Sequence, residues 1–123
     1  MKWIKKGLIF RPNNNFEWMV SHAALPIVDR VDDKVLRIYF STRDKRGRSL
    51  PTYIDVDADS PQNILYVNDK PLLSLGIIGT FDDNGIMSSW IVNHKGKKYL
   101  YYIGWNPQVT VSYRLAIGLA ISA

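Results

Sequence analysis

The chain contains no cysteine, one glutamate and two histidines among its 123 residues. The lack of cysteine excludes disulfide bonds, zinc-thiolate centres and cysteine nucleophiles. Because the two histidines, His22 and His94, are far apart in the sequence and no glycine-rich phosphate loop is present, we expect neither a metal site nor a cofactor.

Long hydrophobic runs are also missing. No segment approaches the ~20 apolar residues that a membrane-spanning helix needs. The apolar stretch at residues 7–10, which follows Lys2, Lys5 and Lys6, is too short for the core of a signal peptide. These absences predict a cytoplasmic protein with no membrane partner.

The positive charge lies in the first half of the chain. The net charge is +5, and residues 1–50 carry 11 lysines and arginines against 5 acidic residues. The densest cluster, RDKRGR at residues 43–48, contains Gly47 and lies between two strand-like runs. We therefore interpret it as a solvated hairpin tip in which Asp44 acts as a turn cap or ion-pair partner, and expect no nucleic-acid partner.

No stretch repeats its apolar residues at helical spacing, which favours an all-β fold. Two runs rich in β-branched and aromatic residues, 35–41 and 98–104, predict strands. Each follows another apolar run across a short polar turn and precedes a third, so two antiparallel units are expected. The other predicted strands are 24–31, 52–56 and 63–67 in the first unit, and 86–93 and 111–122 in the second.

The two units form a weak internal repeat with a spacing of 62 residues, measured between Arg37 and Tyr99. Radially repeated four-stranded sheets are the blades of a β-propeller. We therefore predict one partial propeller domain over residues 1–123, with blade one at about 16–67 and blade two at about 86–122. A separate strand is expected at residues 6–10.

Three segments carry a resemblance to a known group of proteins. They are WMVSHAALP at residues 18–26, GTFDDNGI at residues 79–86 and YLYYIGW at residues 99–105. Together they resemble the first two blades of the five-bladed propeller glycoside hydrolases, the invertase-like and arabinanase/xylosidase-like families 32 and 43. The resemblance implies two of five blades, a saccharide ligand and a ring-closing role for residues 6–10.

The same resemblance leaves the catalytic residues unassigned. Such hydrolases need two carboxyl groups, one to protonate the leaving oxygen and one to attack or to activate water. Ser21 and Leu25 stand where these relatives carry the first-blade carboxylate, and Glu17 precedes the first inner strand. The third blade, which carries the acid in these relatives, lies outside this sequence.

Four residues are candidates for binding the saccharide. The resemblance places His22 on the inner strand of blade one, as a base, a hydrogen-bonding partner or part of the channel wall. Asp82 and Asp83 precede the inner strand of blade two, where they can bind a sugar hydroxyl or simply form a turn. Trp105 can stack on a pyranose ring or pack between blades.

Two functions remain open. One is a carbohydrate-active protein related to propeller glycosidases that lacks the general acid and is inactive as an isolated chain. The other is a non-catalytic carbohydrate-binding or scaffold module that works as an oligomer. Either way, two blades without the other three leave apolar sheet uncovered, so self-association is expected.

Overall fold

A computed structural model describes all 123 residues. It contains seven β-strands and no helix, in a mostly antiparallel, open sheet. The strands are β1 (Ser21–Arg30), β2 (Val35–Arg43), β3 (Ser49–Asp57), β4 (Ile64–Val67), β5 (Gly85–His94), β6 (Lys97–Pro107) and β7 (Tyr113–Ile121). The all-β prediction is confirmed.

The sheet consists of two antiparallel meanders, which we call unit one (β1–β4) and unit two (β5–β7). A single parallel bridge between Ser49 and Gly85 connects them. The approach is close there, because a Cβ on Gly85 would lie 3.1 Å from the Cβ of Ser49. The closed ring of a propeller is not formed by this sheet.

Short turns with a capping side chain or left-handed residues connect the strands of the hairpins. Between β1 and β2, the carboxylate of Asp32 accepts hydrogen bonds from the backbone N–H groups of Lys34 (2.7 Å) and Val35 (2.9 Å). Between β5 and β6, Lys95 and Gly96 adopt left-handed backbone angles. Both turns lie where the polar residues between apolar runs predict them.

The main core lies on one face of unit one. Met19, Phe40, Ile54 and Val56 are buried there, and partly buried aromatic residues from the preceding segment cover them. Phe10 packs on Phe40 with 5.5 Å between ring centroids. The alternation of side chains along β2 and β3 thus places every second residue in this core.

The opposite face of unit one packs against unit two. The backbone N–H of Ser88 on β5 donates a 2.9 Å hydrogen bond to the hydroxyl of Ser41 on β2, and both residues are buried. On β7, Gly118 leaves room for the ring of Tyr102, since a Cβ there would lie 2.2 Å from that ring. The small residues Ser41 and Ser88 thus allow β2 and β5 to approach closely, and Gly118 makes room for Tyr102 within unit two.

The predicted strand at residues 6–10 is wrong for this chain, because these residues belong to no strand. Phe10 is anchored on the core, and the carbonyl of Lys6 accepts a hydrogen bond from the side chain of Gln62. Residues 6–10 have the apolar composition of a strand, but they pair with no strand edge. Trp3, Ile4 and Leu8 remain exposed.

Candidate functional site

Five strand ends meet at one end of the sheet. Cross-strand pairs run in sequence from Ser21 to Arg43, from Arg43 to Ser49, from Ser49 to Gly85 and from Gly85 to Trp105. We call this end, with its five paired residues, the upper end. It collects side chains from both units and from loops far apart in the sequence.

Trp105 lies at the upper end, in contact with an arginine and a tyrosine. The Cζ atom of Arg43 is 5.9 Å from the centroid of the Trp105 ring, which is within the range of a cation–π contact. The Tyr113 ring lies on it with 4.5 Å between centroids and an interplanar angle of 50°. The indole N–H of Trp105 is buried and has no hydrogen-bond acceptor. This group therefore combines an aromatic ring, a cation and an unsatisfied donor.

Strand β1 carries two bulges near the upper end. The register with β2 shifts between Ser21 and Ala24 and again between Ala24 and Ile27. Each bulge contains one non-glycine residue with a left-handed backbone, His22 at φ 64° and Leu25 at φ 51°. Such conformations are costly for residues with a Cβ and concentrate at functional sites, where bulges redirect side chains.

The imidazole of His22 is oriented by its neighbour. The hydroxyl of Ser21 lies 2.8 Å from His22 Nδ1. Both residues border a groove of about 430 Å³ that is also lined by Phe10, Arg11 and Pro12. His22 thus projects to the surface beside a groove, and Ser21 connects it through the β1–β2 pairing to Arg43.

Asp82 is buried and serves the local structure. Its carboxylate accepts hydrogen bonds from the hydroxyls of Tyr102 (3.1 Å) and Thr80 (3.1 Å). Burial raises the pKa of Tyr102, and the hydrogen bond to Asp82 raises it further. Because both of its oxygens are engaged inside the protein, Asp82 acts as an anchor of unit two.

Asp83 is used in the same turn. One carboxylate oxygen accepts a 2.8 Å hydrogen bond from the N–H of Gly79, and the other accepts a 3.1 Å hydrogen bond from the side chain of Asn106. Asn106 directly follows Trp105, so this turn is attached to the upper end. The turn-forming alternative accounts for the contacts of both aspartates.

The RDKRGR cluster forms the predicted hairpin tip. Asp44 accepts backbone hydrogen bonds from Arg46 (2.9 Å) and Arg48 (2.8 Å) and pairs with the Arg48 side chain at 2.8 Å. Burial alone would raise the pKa of Asp44, but the backbone and side-chain hydrogen bonds, led by those of Arg48, lower it overall. The interpretation of Asp44 as turn cap and ion-pair partner is confirmed.

The opposite end of the sheet holds a polar contact that the sequence did not indicate. Asp29 on β1 pairs with Lys98 on β6 and accepts a 2.9 Å hydrogen bond from the side chain of Asn93 on β5. Burial raises the pKa of Asp29, but these hydrogen bonds and the lysine charge outweigh that effect and lower it. This contact joins the two units.

Sequence reasoning thus found part of the upper end. Trp105 and His22 were candidates, and both lie there, whereas Asp82 and Asp83 occupy the adjoining turn. The contributions of Arg43 and Tyr113 were missed. In the sequence, Arg43 stood out only as part of the RDKRGR cluster at a strand end, and its contact with Trp105 depends on a pairing through Gly85 that joins residues over 40 positions apart.

The structure contains no helix that is long and apolar enough to cross a membrane.

Comparison with known proteins gives relatives but no family. No protein-family model matches the chain, and no solved structure is significantly similar to it. The chain is 42% identical over 122 residues to "Uncharacterized protein Rv1502" of Mycobacterium tuberculosis (strain ATCC 25618 / H37Rv). It has the same identity to "Uncharacterized protein MT1551" of Mycobacterium tuberculosis (strain CDC 1551 / Oshkosh). The match covers 99% of this chain but 41% of each relative, so the chain spans about two fifths of the length of these proteins.

Proposed function

We propose that this chain is a carbohydrate-binding protein built from two propeller-type repeats, and that the saccharide binds at the upper end. The observation that carries the proposal is that Arg43 and Tyr113 both contact the aromatic ring of Trp105. Kinship with propeller glycosidases is part of the proposal and rests on the three segments described above.

The repeat is supported by the spacing of the strands. The equivalent strands β1 and β5, β2 and β6, and β3 and β7 begin 64, 62 and 64 residues apart. The mycobacterial relatives, of which 122 residues are 41%, have about 300 residues. That length corresponds to roughly five such repeats, which fits a ring of five blades. In such a ring, unit one and unit two would be neighbouring blades.

The chemistry of the upper end suits a sugar. A pyranose presents C–H groups on its faces and hydroxyls around its rim, so it is bound by an aromatic ring with a few oriented polar groups. Trp105 supplies the ring, and the Arg43 guanidinium has five N–H donors, of which one binds the Gly47 carbonyl. His22, held by Ser21, adds a group that can donate or accept a hydrogen bond.

Binding is better supported than hydrolysis. Glycoside cleavage needs two carboxyl groups on either side of the scissile bond. At the upper end, Asp82 and Asp83 are engaged in the turn before β5, and Glu17 pairs with Lys45 at the surface. We therefore propose a chain that holds a saccharide without cleaving it.

The proposal is tested by nuclear magnetic resonance of the ¹⁵N-labelled chain during titration with arabino-, xylo-, fructo- and manno-oligosaccharides. We expect at least one of them to shift backbone amides around Ser21, Arg43 and Trp105. Shifts confined to the opposite end, around Asp29 and Asn93, would contradict the proposal, as would no response to any of the four classes.

A further inference from the structure

One face of unit two is apolar and uncovered. Side chains that are paired across β5, β6 and β7 point to the same side of the sheet, and the residues of this side are large and apolar. We call it the outer face; apart from Tyr113, its exposed large apolar members are Trp90, Val92, Tyr101, Leu115, Ile117, Leu119 and Ile121. Their exposures run from 40% for Tyr101 to 84% for Ile117.

The other face of the same strands is buried. It is built from Ile86, Ser88, Leu100, Gly104 and Gly118, all of which are buried. This side is covered by unit one through the contacts of Ser88 and Lys98. Unit two is therefore a three-stranded sheet that packs one face against unit one. Its other face carries large apolar side chains that are exposed to water.

We infer that the outer face is the interface with a second copy of this chain, packed face to face. The seven exposed side chains present on the order of 800 Å² of apolar surface, which matches the ~800 Å² that each partner contributes to a standard stable interface. Two copies related by a twofold axis bury the same residues on both sides, so the contact closes as a dimer.

The charge distribution favours this partner. The chain carries a net charge of +5, so most of its surface repels a second copy. Lys97 lies on the same side only at its lower edge, beside the β5–β6 turn, and Arg114 lies on β7 at a position whose side chain points to the other side. A second copy therefore meets the centre of this face, around Ile117 and Leu119, without placing like charges against one another.

The proposed saccharide site borders the dimer contact, because Leu115 of the outer face pairs with Trp105. Trp105 and Tyr113 lie at the upper end of the outer face, whereas its most exposed member, Ile117, lies in the middle of β7, paired with Ile103. Face-to-face packing of two sheets keeps the strands roughly aligned and forms a core about 10 Å thick. The centre of the dimer contact thus lies at Ile117 and Leu119, next to the sugar site at the upper end of the same face.

The test is the mass of the full chain in solution at high micromolar concentration, by size-exclusion chromatography with light scattering. We expect twice the 14.1 kDa of one chain. Ile117→Arg places a charge in the centre of the outer face and should raise the dissociation constant of the dimer at least tenfold. Leu119→Lys, on the same face, is a second variant, and circular dichroism verifies that each variant is folded.

The matched control is Leu65→Arg, because Leu65 is an apolar side chain on β4 of unit one and is 50% exposed. It should leave the dimer intact. A wild-type monomer would overturn the inference. A dimer that survives both outer-face substitutions but is lost when Trp3 and Ile4 are changed to serine would overturn it as well, because it would assign the contact to exchange of the N-terminal segment.

Discussion

The backbone N–H of Ser88 donates a hydrogen bond of 2.9 Å to the hydroxyl of Ser41, across the boundary between the two units. The two residues are 47 positions apart and are almost completely buried, with exposures of 0% and 1%. A buried donor needs an acceptor, because water cannot replace a lost partner there. This contact therefore fixes how unit two is placed on unit one.

Removing the acceptor should weaken the fold. Ser41→Ala leaves the Ser88 N–H without a partner and should lower the free energy of unfolding by about 1–3 kcal/mol. Urea denaturation followed by tryptophan fluorescence measures the change. Ser89→Ala, at the exposed neighbouring position, is the control and should stay within about 0.5 kcal/mol of wild type. Equal stability of the two variants would show that Ser41 does not hold the units together.

The Asp29–Lys98 pair should make the same boundary sensitive to acid. The folded-state pKa of Asp29 is lowered, so its ionised form stabilises the fold above the unfolded pKa of about 3.8. That contribution is lost as the pH falls through the lowered folded value. Asp29→Asn should therefore cost about 1–2 kcal/mol at neutral pH.

The pH dependence separates this effect from simple loss of packing. The difference in unfolding free energy between wild type and Asp29→Asn should begin to shrink below pH ~4, where Asp29 of the unfolded chain takes up a proton, and should be lost once the pH falls below the lowered pKa of the folded state. Asp33→Asn, in the exposed β1–β2 turn, is the control. A difference that stays constant down to pH ~2 would mean that the charge of Asp29 plays no part.

These two contacts also mark the limit of what the sequence can predict. All seven strands have bounds within three residues of the predicted runs; the largest differences are at the starts of β1 and β3 and at the end of β6. Alternation and turn residues are local signals, and the Asp32 turn shows how directly they act. The docking of one unit on the other depends on pairs such as Ser41–Ser88, which no local pattern reveals.

The candidate site was likewise predicted only in its local features. Trp105 was a candidate because of its residue type and because the YLYYIGW segment resembles propeller glycosidases. The left-handed backbone of His22 was not, because a residue with a Cβ rarely adopts it unless the surrounding structure compensates the cost. Residues 6–10 had the composition of a strand but lack an edge to pair with, which depends on the rest of the assembly.

The two left-handed residues of β1 allow a matched comparison. Glycine adopts φ values near +60° without a steric penalty, so His22→Gly and Leu25→Gly should both leave the unfolding free energy within about 1 kcal/mol of wild type. If His22 contacts the saccharide, only His22→Gly should weaken binding, by about tenfold. Calorimetric titration measures both, and equal affinities of the two variants would remove His22 from the site.

The chain alone should not hydrolyse glycosides. Without a positioned acid the leaving sugar departs unprotonated, and general acid catalysis is typically worth ~10²–10⁴-fold in rate. Assays with arabinoside, xyloside, fructoside and mannoside substrates, with and without phosphate, should stay at background. Turnover that disappears in Asp83→Asn or His22→Ala would contradict the binding-only account, because it would identify a catalytic group among the residues at the upper end.

The most direct test of the account is the affinity for whichever oligosaccharide shifts the amides of the upper end, measured in two tryptophan variants. Trp105→Ala should weaken binding about tenfold or more, since a stacked aromatic ring contributes on the order of 1 kcal/mol beyond its buried area. Trp90→Ala, which removes an exposed ring on the outer face, should leave the affinity unchanged. Equal affinities of wild type and Trp105→Ala would contradict the proposal that the upper end is a saccharide site.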